Sequence, residues 1–231
     1  MVDALSRYLV PDELWALAEP LIPQFGPRPQ GGGTTPVDDR AVFTAVVFIV
    51  TNGCAWRHLP PCFGVTVPTA HRRFTDWTKT GLWRQLHRAV LDELGSQGLI
   101  AWYRAVLDRA SVRGQKRGSM TGPNPVDRGK TGSKIHVLSD RTGLPLSVAV
   151  SAANTNDTYA LKPLVMAIPA IKSRRDPRRR KHRWVIELSI AWLFGYHRLA
   201  TRYDRNANHF CAFLTLGATL TCYKKLAKAA T

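Results

Sequence analysis

The chain has 231 residues, 45% of them hydrophobic, and its 33 Lys and Arg outnumber its 16 Asp and Glu, giving a formal net charge of +17 at pH 7. This composition is sufficient for a packed core of one or two small domains, and the positive charge favours a polyanionic partner such as a nucleic acid. The longest apolar runs, 42–50 and 189–194, are too short to span a bilayer. No secretory signal follows Met1 and no C-x-x-C pair is present, so we expect a cytoplasmic protein without a disulfide framework.

Residues 1 to about 100 are predicted to be helical. Helix starts are indicated where proline or an acidic residue stands in a first-turn position, and helix ends where asparagine or glycine follows an apolar run. Three helices are predicted to begin near Pro11, Asp38 and Thr66. The second of these ends at Asn52-Gly53, and a fourth helix is expected over about 82–94.

The third predicted helix carries Arg72 and Arg73 beside aromatic residues. Short helices joined by tight turns, one of them with surface arginines, are compatible with a helix-turn-helix whose second helix enters the major groove. In this interpretation both arginines contact DNA. A plain helical bundle with solvated arginines fits the same pattern, so both alternatives stay open.

Strands are predicted after Gly98. The short apolar segment 104–108 indicates one strand, and the segments 134–138 and 144–150 flank a four-residue turn that ends in Gly143, which predicts a hairpin. A helix is expected to follow, from the N-cap residues at 154–158 to about 168. The rest of the chain is then predicted to be helical, with a final apolar helix over about 210–226.

A strongly basic run separates the predicted strands from the last helices. Eight of the twelve residues from Lys172 to Arg183 are Lys or Arg. Such a run is expected to contact phosphate groups.

Four stretches carry a resemblance to a known family: 54–60 (CAWRHLP), 108–113 (DRASVR), 122–129 (GPNPVDRG) and 183–187 (RWVIE). Together with the order of the predicted elements, they resemble the insertion-sequence transposases that have a ribonuclease-H-like core and three catalytic carboxylates. The resemblance implies a mixed α/β fold, with a helix-turn-helix-like DNA-binding head over residues 1–100. Residues 101–231 would then form an incomplete ribonuclease-H-like transposase domain.

The resemblance implies two catalytic carboxylates, since the first catalytic Asp of the family corresponds to Asp108 and the catalytic Glu to Glu187. Both would be ligands of Mg²⁺, because two hard cations must activate the attacking oxygen and stabilise the leaving oxygen. From the residues alone, Asp108 also fits a strand-end side chain that caps a turn. Glu187 likewise fits an i,i+4 surface ion pair with Arg183.

The sequence departs from the family between Lys181 and His182. In similar sequences a further strand with the second catalytic Asp stands here, whereas this basic run leads directly into the RWVIE stretch. The arginine that commonly follows the Glu is replaced by Leu188. The acids available as substitutes are Asp157, which we expect to cap a helix, Asp176 and Asp204.

The resulting expectation is a protein that binds double-stranded DNA at transposon ends and is defective in cleavage. The residues expected to bind DNA are Arg72, Arg73, Arg178, Arg179, Arg180, Lys181 and Arg183. A strand missing beside Asp108 should leave a sheet edge open and the C-terminal half poorly ordered, while the head unfolds cooperatively. Alternatives are an active transposase that uses a substitute acid and a basic RNA-binding or structural protein. A homo-oligomer also stays open.

Overall fold

In the computed structural model of the chain, residues 2–24, 37–102, 104–172 and 188–230 are described. The helices in these ranges are α1 (Val2–Leu9), α2 (Asp12–Ala18), α3 (Asp39–Asn52), α4 (Val67–Lys79), α5 (Leu82–Ser96), α6 (Thr158–Met166), α7 (Leu188–Phe194), α8 (His197–Ala200) and α9 (Ala207–Ala230). The strands are β1 (Ala105–Gly114), β2 (Gly122–Pro123), β3 (Thr131–Asp140), β4 (Pro145–Ala152) and β5 (Thr201–Arg202). The fold is mixed α/β, as the sequence predicts, with helices before the sheet.

The helix ends follow the local signals in the sequence. The side chain of Asp38 accepts hydrogen bonds from the backbone N–H groups of Arg40 and Ala41 and so caps α3. Gly53 ends this helix with φ of 69°, and a Cβ there would lie 2.7 Å from the Cβ of His197. The hydroxyl of Thr66 accepts from the N–H of Thr69 at the start of α4. The predicted starts and ends of these helices are confirmed.

The sheet is mixed and has β3 at its centre. β3 pairs antiparallel with β1 on one side and with β4 on the other, and β2 pairs with its first two residues. On its far side β1 pairs in parallel with β5 through Arg113 and Gly114. Among the described residues, no strand pairs with this side of β1 over 105–112.

The predicted hairpin is confirmed, and its turn depends on a buried carboxylate. Asp140 is fully buried, and its side chain accepts hydrogen bonds from the backbone N–H groups of Ala101, Thr142 and Leu144 at 2.8–2.9 Å. Gly143 adopts φ of 86° in the same turn. A buried carboxylate that accepts several backbone hydrogen bonds is satisfied locally, so Asp140 is structural.

Helix α9 joins the N-terminal helices to the sheet. It contacts α3, α4 and α5 on one side and β4 on the other. Phe74 of α4 stacks on Phe213 of α9 with ring centroids 4.4 Å apart. One apolar cluster therefore includes residues from the N-terminal helices, the sheet and α9, while a smaller cluster around Leu138 and Leu164 lies under α6. The boundary predicted near residue 100 stays a prediction.

The remaining elements agree with the sequence or extend it. The strand expected around 104–108 is β1, which continues to Gly114, and the helix expected to end near 168 is α6. The final helix is longer than predicted. Most of the basic run 172–183 lies outside the described residues. No helix in the described ranges is long and apolar enough to cross a membrane.

Candidate catalytic carboxylate and nucleic-acid interface

Asp108 lies within β1 and not at its end. It is the fourth residue of the strand and stands opposite Val137 of β3. Because side chains alternate along a strand, Asp108 shares one sheet face with Val106 and Ala110. The side chain is half-buried, and its Oδ1 accepts a hydrogen bond from the N–H of Arg109 at 2.7 Å. This position is different from that of a strand-end Asp that caps a turn.

Helix α7 packs on the same face of the sheet as Asp108. The hydroxyl of Ser189 donates to Oγ of Ser139 at 3.2 Å, and both side chains are fully buried. Ser139 stands opposite Val106 in the sheet, and Val106 precedes Asp108 by two residues and shares its face. The first turn of α7 is thereby fixed next to the β1 segment that carries Asp108. Glu187 and Arg183 lie outside the described residues.

Asp157 lies on the opposite face of the sheet from Asp108. It forms ion pairs with Arg109 and with Lys134, whose Nζ donates to Oδ1 at 3.0 Å. Arg109 is the neighbour of Asp108 and therefore points to the other face. Asp157 occupies the N-cap position of α6, as expected, but its side chain makes no capping hydrogen bond. Its carboxylate is thus held by two cations away from Asp108.

Asp204, another of the acids considered as substitutes, is also paired. Its carboxylate accepts from the guanidinium of Arg198 at 3.0 Å, and both side chains are almost completely buried. Arg198 donates in addition to the backbone carbonyl of Cys54 at 3.2 Å. Asp204 therefore has a structural partner in this conformation. Asp176 lies outside the described residues.

A two-metal site requires several oxygen ligands that converge on one point. Within the described ranges, no group of three or more His, Cys, Asp or Glu side chains is placed to hold a metal ion. Asp108 contributes one carboxylate on its sheet face. Asp157 forms an ion pair with Lys134, and Asp204 forms one with Arg198. The described residues by themselves do not fit a pair of Mg²⁺ ions.

A histidine beside Arg109 and Lys134 is neutral at physiological pH. His136 stands opposite Arg109 in the sheet, and its Nε2 lies 2.8 Å from the hydroxyl of Ser151. Burial, followed by the charges of Lys134 and Arg109, lowers the pKa of His136 to about 4. A proton transfer at neutral pH is not favoured for an imidazole with this pKa.

The two arginines predicted on α4 have different environments. Arg72 is exposed, whereas Arg73 is only 3% exposed and forms an ion pair with Asp39 at 3.0 Å. Arg73 also donates to the backbone carbonyl of Val37 at 3.5 Å. Burial lowers the pKa of Arg73 and raises that of Asp39. In this conformation Arg72 faces outward, while Arg73 links α4 to the start of α3.

A second basic segment lies beside α4. Trp56 packs edge-on against His71 of α4 with ring centroids 5.4 Å apart, and the adjoining Arg57 and His58 are exposed. The exposed guanidinium of Arg57 extends the basic surface of α4. Arg57 and His58 belong to the stretch 54–60 that carries the family resemblance, which was the signal available in the sequence.

A groove of about 530 Å³ lies between α5, α6, α9 and the outer edge of β4. It is lined by Arg84 and Arg88 of α5 and by apolar residues of β4, and none of the described residues that line it is acidic. The groove therefore lacks the ligands of a cation site.

Comparison with known proteins identifies the family. A family model described as "Putative transposase of IS4/5 family (DUF4096)" matches residues 10–87, which extend from the start of α2 into α5. A relative from Burkholderia cepacia, titled "Putative transposase for insertion sequence element IS402", is 35% identical over 150 residues, covering 47% of this chain and 71% of the relative. The "Insertion element IS402 uncharacterized 16.2 kDa protein" of the same organism is 36% identical over 123 residues, covering 52% of this chain and 84% of that protein. No solved structure matches the chain.

The fold and the matches together define a mixed α/β protein of mobile genetic elements. Its N-terminal helices match the family model, and its β1 carries an Asp on a sheet face that a later helix covers. The chain belongs to the family of insertion-sequence transposases.

Proposed function

We propose that this chain binds double-stranded DNA at insertion-sequence ends, as a transposase does before cut-and-join transposition, and that its cleavage centre is incomplete. The observation that carries the proposal is the pairing of β1. The strand that holds Asp108 is paired along its length with β3 but, among the described residues, pairs on its other side only through Arg113 and Gly114.

This pairing fits the incomplete ribonuclease-H-like core that the family resemblance implies. In that core a strand with the second catalytic Asp pairs beside the strand with the first. Here β5 lies beside β1 for two residues, and those residues are Thr201 and Arg202, not an acid. The arrangement supports the loss of the strand and of its carboxylate, while the DNA-binding surface of the N-terminal helices is proposed to lie within residues 1–100.

The match to the IS402 transposase gives independent support. The alignment is 150 residues long, but it covers 47% of this chain, which is about 109 of its 231 residues. About 40 residues of the relative therefore have no counterpart in this chain. We propose that the missing segment belongs between Lys181 and His182, where the sequence departs from the family.

Glu187 is proposed as the second carboxylate that remains. It precedes Ser189 by two residues, and two residues of chain span at most about 7 Å. The hydroxyl of Ser189 donates a hydrogen bond to that of Ser139, on the sheet face that carries Asp108. Asp108 and Glu187 would then hold one Mg²⁺ ion, which would supply Lewis-acid chemistry, but a second ion would share only Asp108 and would lack the carboxylate of the missing second Asp.

The proposed DNA surface combines Arg72 of α4 with the neighbouring Arg57, which are both exposed. The residues proposed to contact phosphates from the basic run are Arg178, Arg179, Arg180, Lys181 and Arg183. Arg73 is assigned a structural role, since it is buried against Asp39.

The test compares binding to duplexes that contain the inverted repeats next to this reading frame with binding to random duplexes of equal length, at one salt concentration. We expect tighter binding of the end duplex and no nicking with Mg²⁺ or Mn²⁺. Equal binding of RNA and DNA would instead indicate a general basic RNA-binding protein. Nicking that is lost in Asp108→Ala would indicate an active transposase.

A further inference from the structure

A pocket of about 480 Å³ lies between the end of α7, the turn of the β3–β4 hairpin and the last turns of α9. We call it the Trp192 pocket. Its main lining residues are Trp192 and Tyr196, Leu144 of the hairpin, and Lys224, Lys225 and Lys228 of α9. Aromatic and positively charged side chains therefore line the same pocket.

Trp192 provides a flat apolar wall that solvent can reach. Its side chain is 41% exposed, whereas Tyr196 and Leu144 are buried. An indole left this accessible beside a buried apolar floor has the geometry of a stacking surface for a planar ring. Single-stranded nucleic acids bind proteins in this way, because every base has a face that stacks on an aromatic side chain.

The three lysines form one positively charged stripe on α9. Lys228 follows Lys224 by four residues and Lys225 by three, so it neighbours both of them, and the three side chains lie within about 100° of one another around the helix. Lys224 Nζ lies 4.9 Å from the ring centroid of Tyr196, which holds this ammonium at the edge of the pocket. None of the described residues that line the pocket is acidic.

The helix dipole does not account for all three lysines. A cation in the last turn is favoured by the carboxyl end of a helix, and this explains Lys228. Lys224 and Lys225 stand about a turn earlier, where the effect has decayed. Four residues of helix extend about 6 Å, so the stripe offers charges to a run of phosphates and not to a single phosphate.

We propose that the Trp192 pocket binds single-stranded DNA, with a base stacked on Trp192 and the backbone phosphates on the three lysines. The choice of DNA rests on the proposed function. Trp192 lies one turn beyond Ser189 on α7, the helix that packs on the Asp108 face. A strand bound in the pocket would therefore lie next to the helix that reaches the candidate carboxylate.

The experiment measures the affinity of the full chain for an oligo(dT) strand of about 20 nucleotides and for a blunt duplex of similar length. Trp192→Leu should weaken binding of the single strand by about 5- to 150-fold, as expected for one lost stacking contact. Trp192→Phe should keep most of the affinity. Replacing Lys224, Lys225 and Lys228 with Gln should reduce the salt dependence for the single strand by a slope of about 2.

Control variants lie on α6, which covers the opposite sheet face. Tyr159→Leu removes an aromatic side chain that is 75% exposed, and Lys162→Gln removes one surface charge. Neither should change the affinity for oligo(dT) more than about twofold, given the small effect of one distant charge. Circular dichroism melting establishes that each variant is folded.

Several results would overturn the proposal. They are a folded Trp192→Leu or triple-lysine variant that binds oligo(dT) like the wild type, an equal loss for strand and duplex, and tighter binding of oligo(U) than of oligo(dT). A failure of the proposed function gives a different result: the wild type would bind insertion-sequence ends no more tightly than random duplex. The preference for insertion-sequence ends does not depend on the comparison of Trp192 variants with oligo(dT).

Discussion

Arg198 and Asp204 form a buried ion pair that also ties the C-terminal part of the chain to the N-terminal helices. The carboxylate accepts from the guanidinium at 3.0 Å, and the same guanidinium donates to the carbonyl of Cys54 and lies over the ring of Phe213. Removing one partner of such a pair leaves an uncompensated buried charge. Asp204 is therefore expected to act on stability and not on metal binding.

Asp204→Asn should lower the free energy of unfolding by about 3 kcal/mol. Urea denaturation of the full chain measures this value. The matched control is Asp76→Asn, which removes a half-exposed partner 3.8 Å from Lys79 and should cost less than about 1 kcal/mol. Equal stabilities of the two variants would contradict the structural role.

Substitutions of the two arginines on α4 should have different effects, one on DNA binding and the other on stability. Arg72→Ala should weaken duplex binding and reduce the salt slope by about 1, with little change in stability, because this side chain is exposed. Arg73→Ala should lower the free energy of unfolding by about 2 to 4 kcal/mol, because it leaves Asp39 without its cation. Binding isotherms and urea denaturation of both variants provide the measurement. If the Arg73→Ala variant is as stable as the wild type but has lost base specificity, Arg73 contacts DNA and is not structural.

A fragment that ends near residue 100 should not fold independently. The fragment lacks α9, and α9 buries Phe210, Phe213 and Leu216 completely, with Phe213 stacked on Phe74 of α4. The exposed apolar surface should produce aggregation or a broad thermal transition, whereas the full chain should unfold in one transition. Calorimetry and sedimentation of both proteins test this. A fragment with a sharp transition would support the independent head expected from the sequence.

The helices and the hairpin could be predicted because their signals are local. Asp38, Thr66 and Gly53 each act through bonds to neighbouring residues or through their own backbone angles. The position of α9 between the N-terminal helices and β4 depends on packing between residues far apart in the sequence. For the same reason the sequence did not reveal that Arg73 is buried, since arginine is usually exposed and is buried here with its charge paired to Asp39.

The candidate site was predictable only in part. The alternation along β1 indicates which residues share a face, but it does not indicate which face α7 covers. Asp157 illustrates the difference: its N-cap position followed from the sequence, whereas its ion pairs with Arg109 and Lys134 require the register of β1 and β3. The lysines of the Trp192 pocket were missed because their partner surface belongs to α7 and the hairpin.

Stability should fall between about pH 6.5 and pH 4 because His87 is buried in its neutral form. Its Nε2 lies 3.0 Å from the carbonyl of Pro145, and burial lowers its pKa to about 4. The nearby Cys222 thiol stays protonated, because burial raises its pKa. The unfolded chain binds a proton near pH 6.5 and the folded chain only near pH 4, so stability is full above pH 6.5 and is lost as the pH falls.

The expected loss from His87 is on the order of 1.4 kcal/mol for each pH unit below pH 6.5, which is about 2 kcal/mol at pH 5 and about 3 kcal/mol at pH 4. Urea denaturation at pH 7.5 and at pH 5, for the wild type and for His87→Gln, measures its share. His136, whose pKa is also about 4, contributes in the same direction, so the variant should retain part of the slope. An unchanged slope in His87→Gln would contradict the assignment.

The last prediction is that the chain does not cleave or join transposon ends with Mg²⁺ or Mn²⁺. The cause is the absence of a metal ligand, while the DNA contacts are retained. Asp157 is held by cations on the sheet face opposite Asp108, and Asp204 is paired with Arg198, so neither is expected to provide the second Asp. Adding one Asp at Arg180 or Lys181 should not restore activity, since a carboxylate contributes only when the backbone holds it in the correct geometry. Nicking and strand-transfer assays on end duplexes measure the result.

Activity should return when the missing strand returns. Inserting the corresponding segment of an intact relative between Lys181 and His182 should restore metal-dependent cleavage, because the strand would pair along the open side of β1 and bring its Asp beside Asp108. In that insertion variant, Asp108→Ala or Glu187→Ala should abolish cleavage, while Asp157→Ala should not, since Asp157 lies on the other face of the sheet. The parent chain and the insertion variant should bind end duplexes with similar affinity. Cleavage by the parent chain that is lost in Asp108→Ala would show that another residue supplies the third ligand.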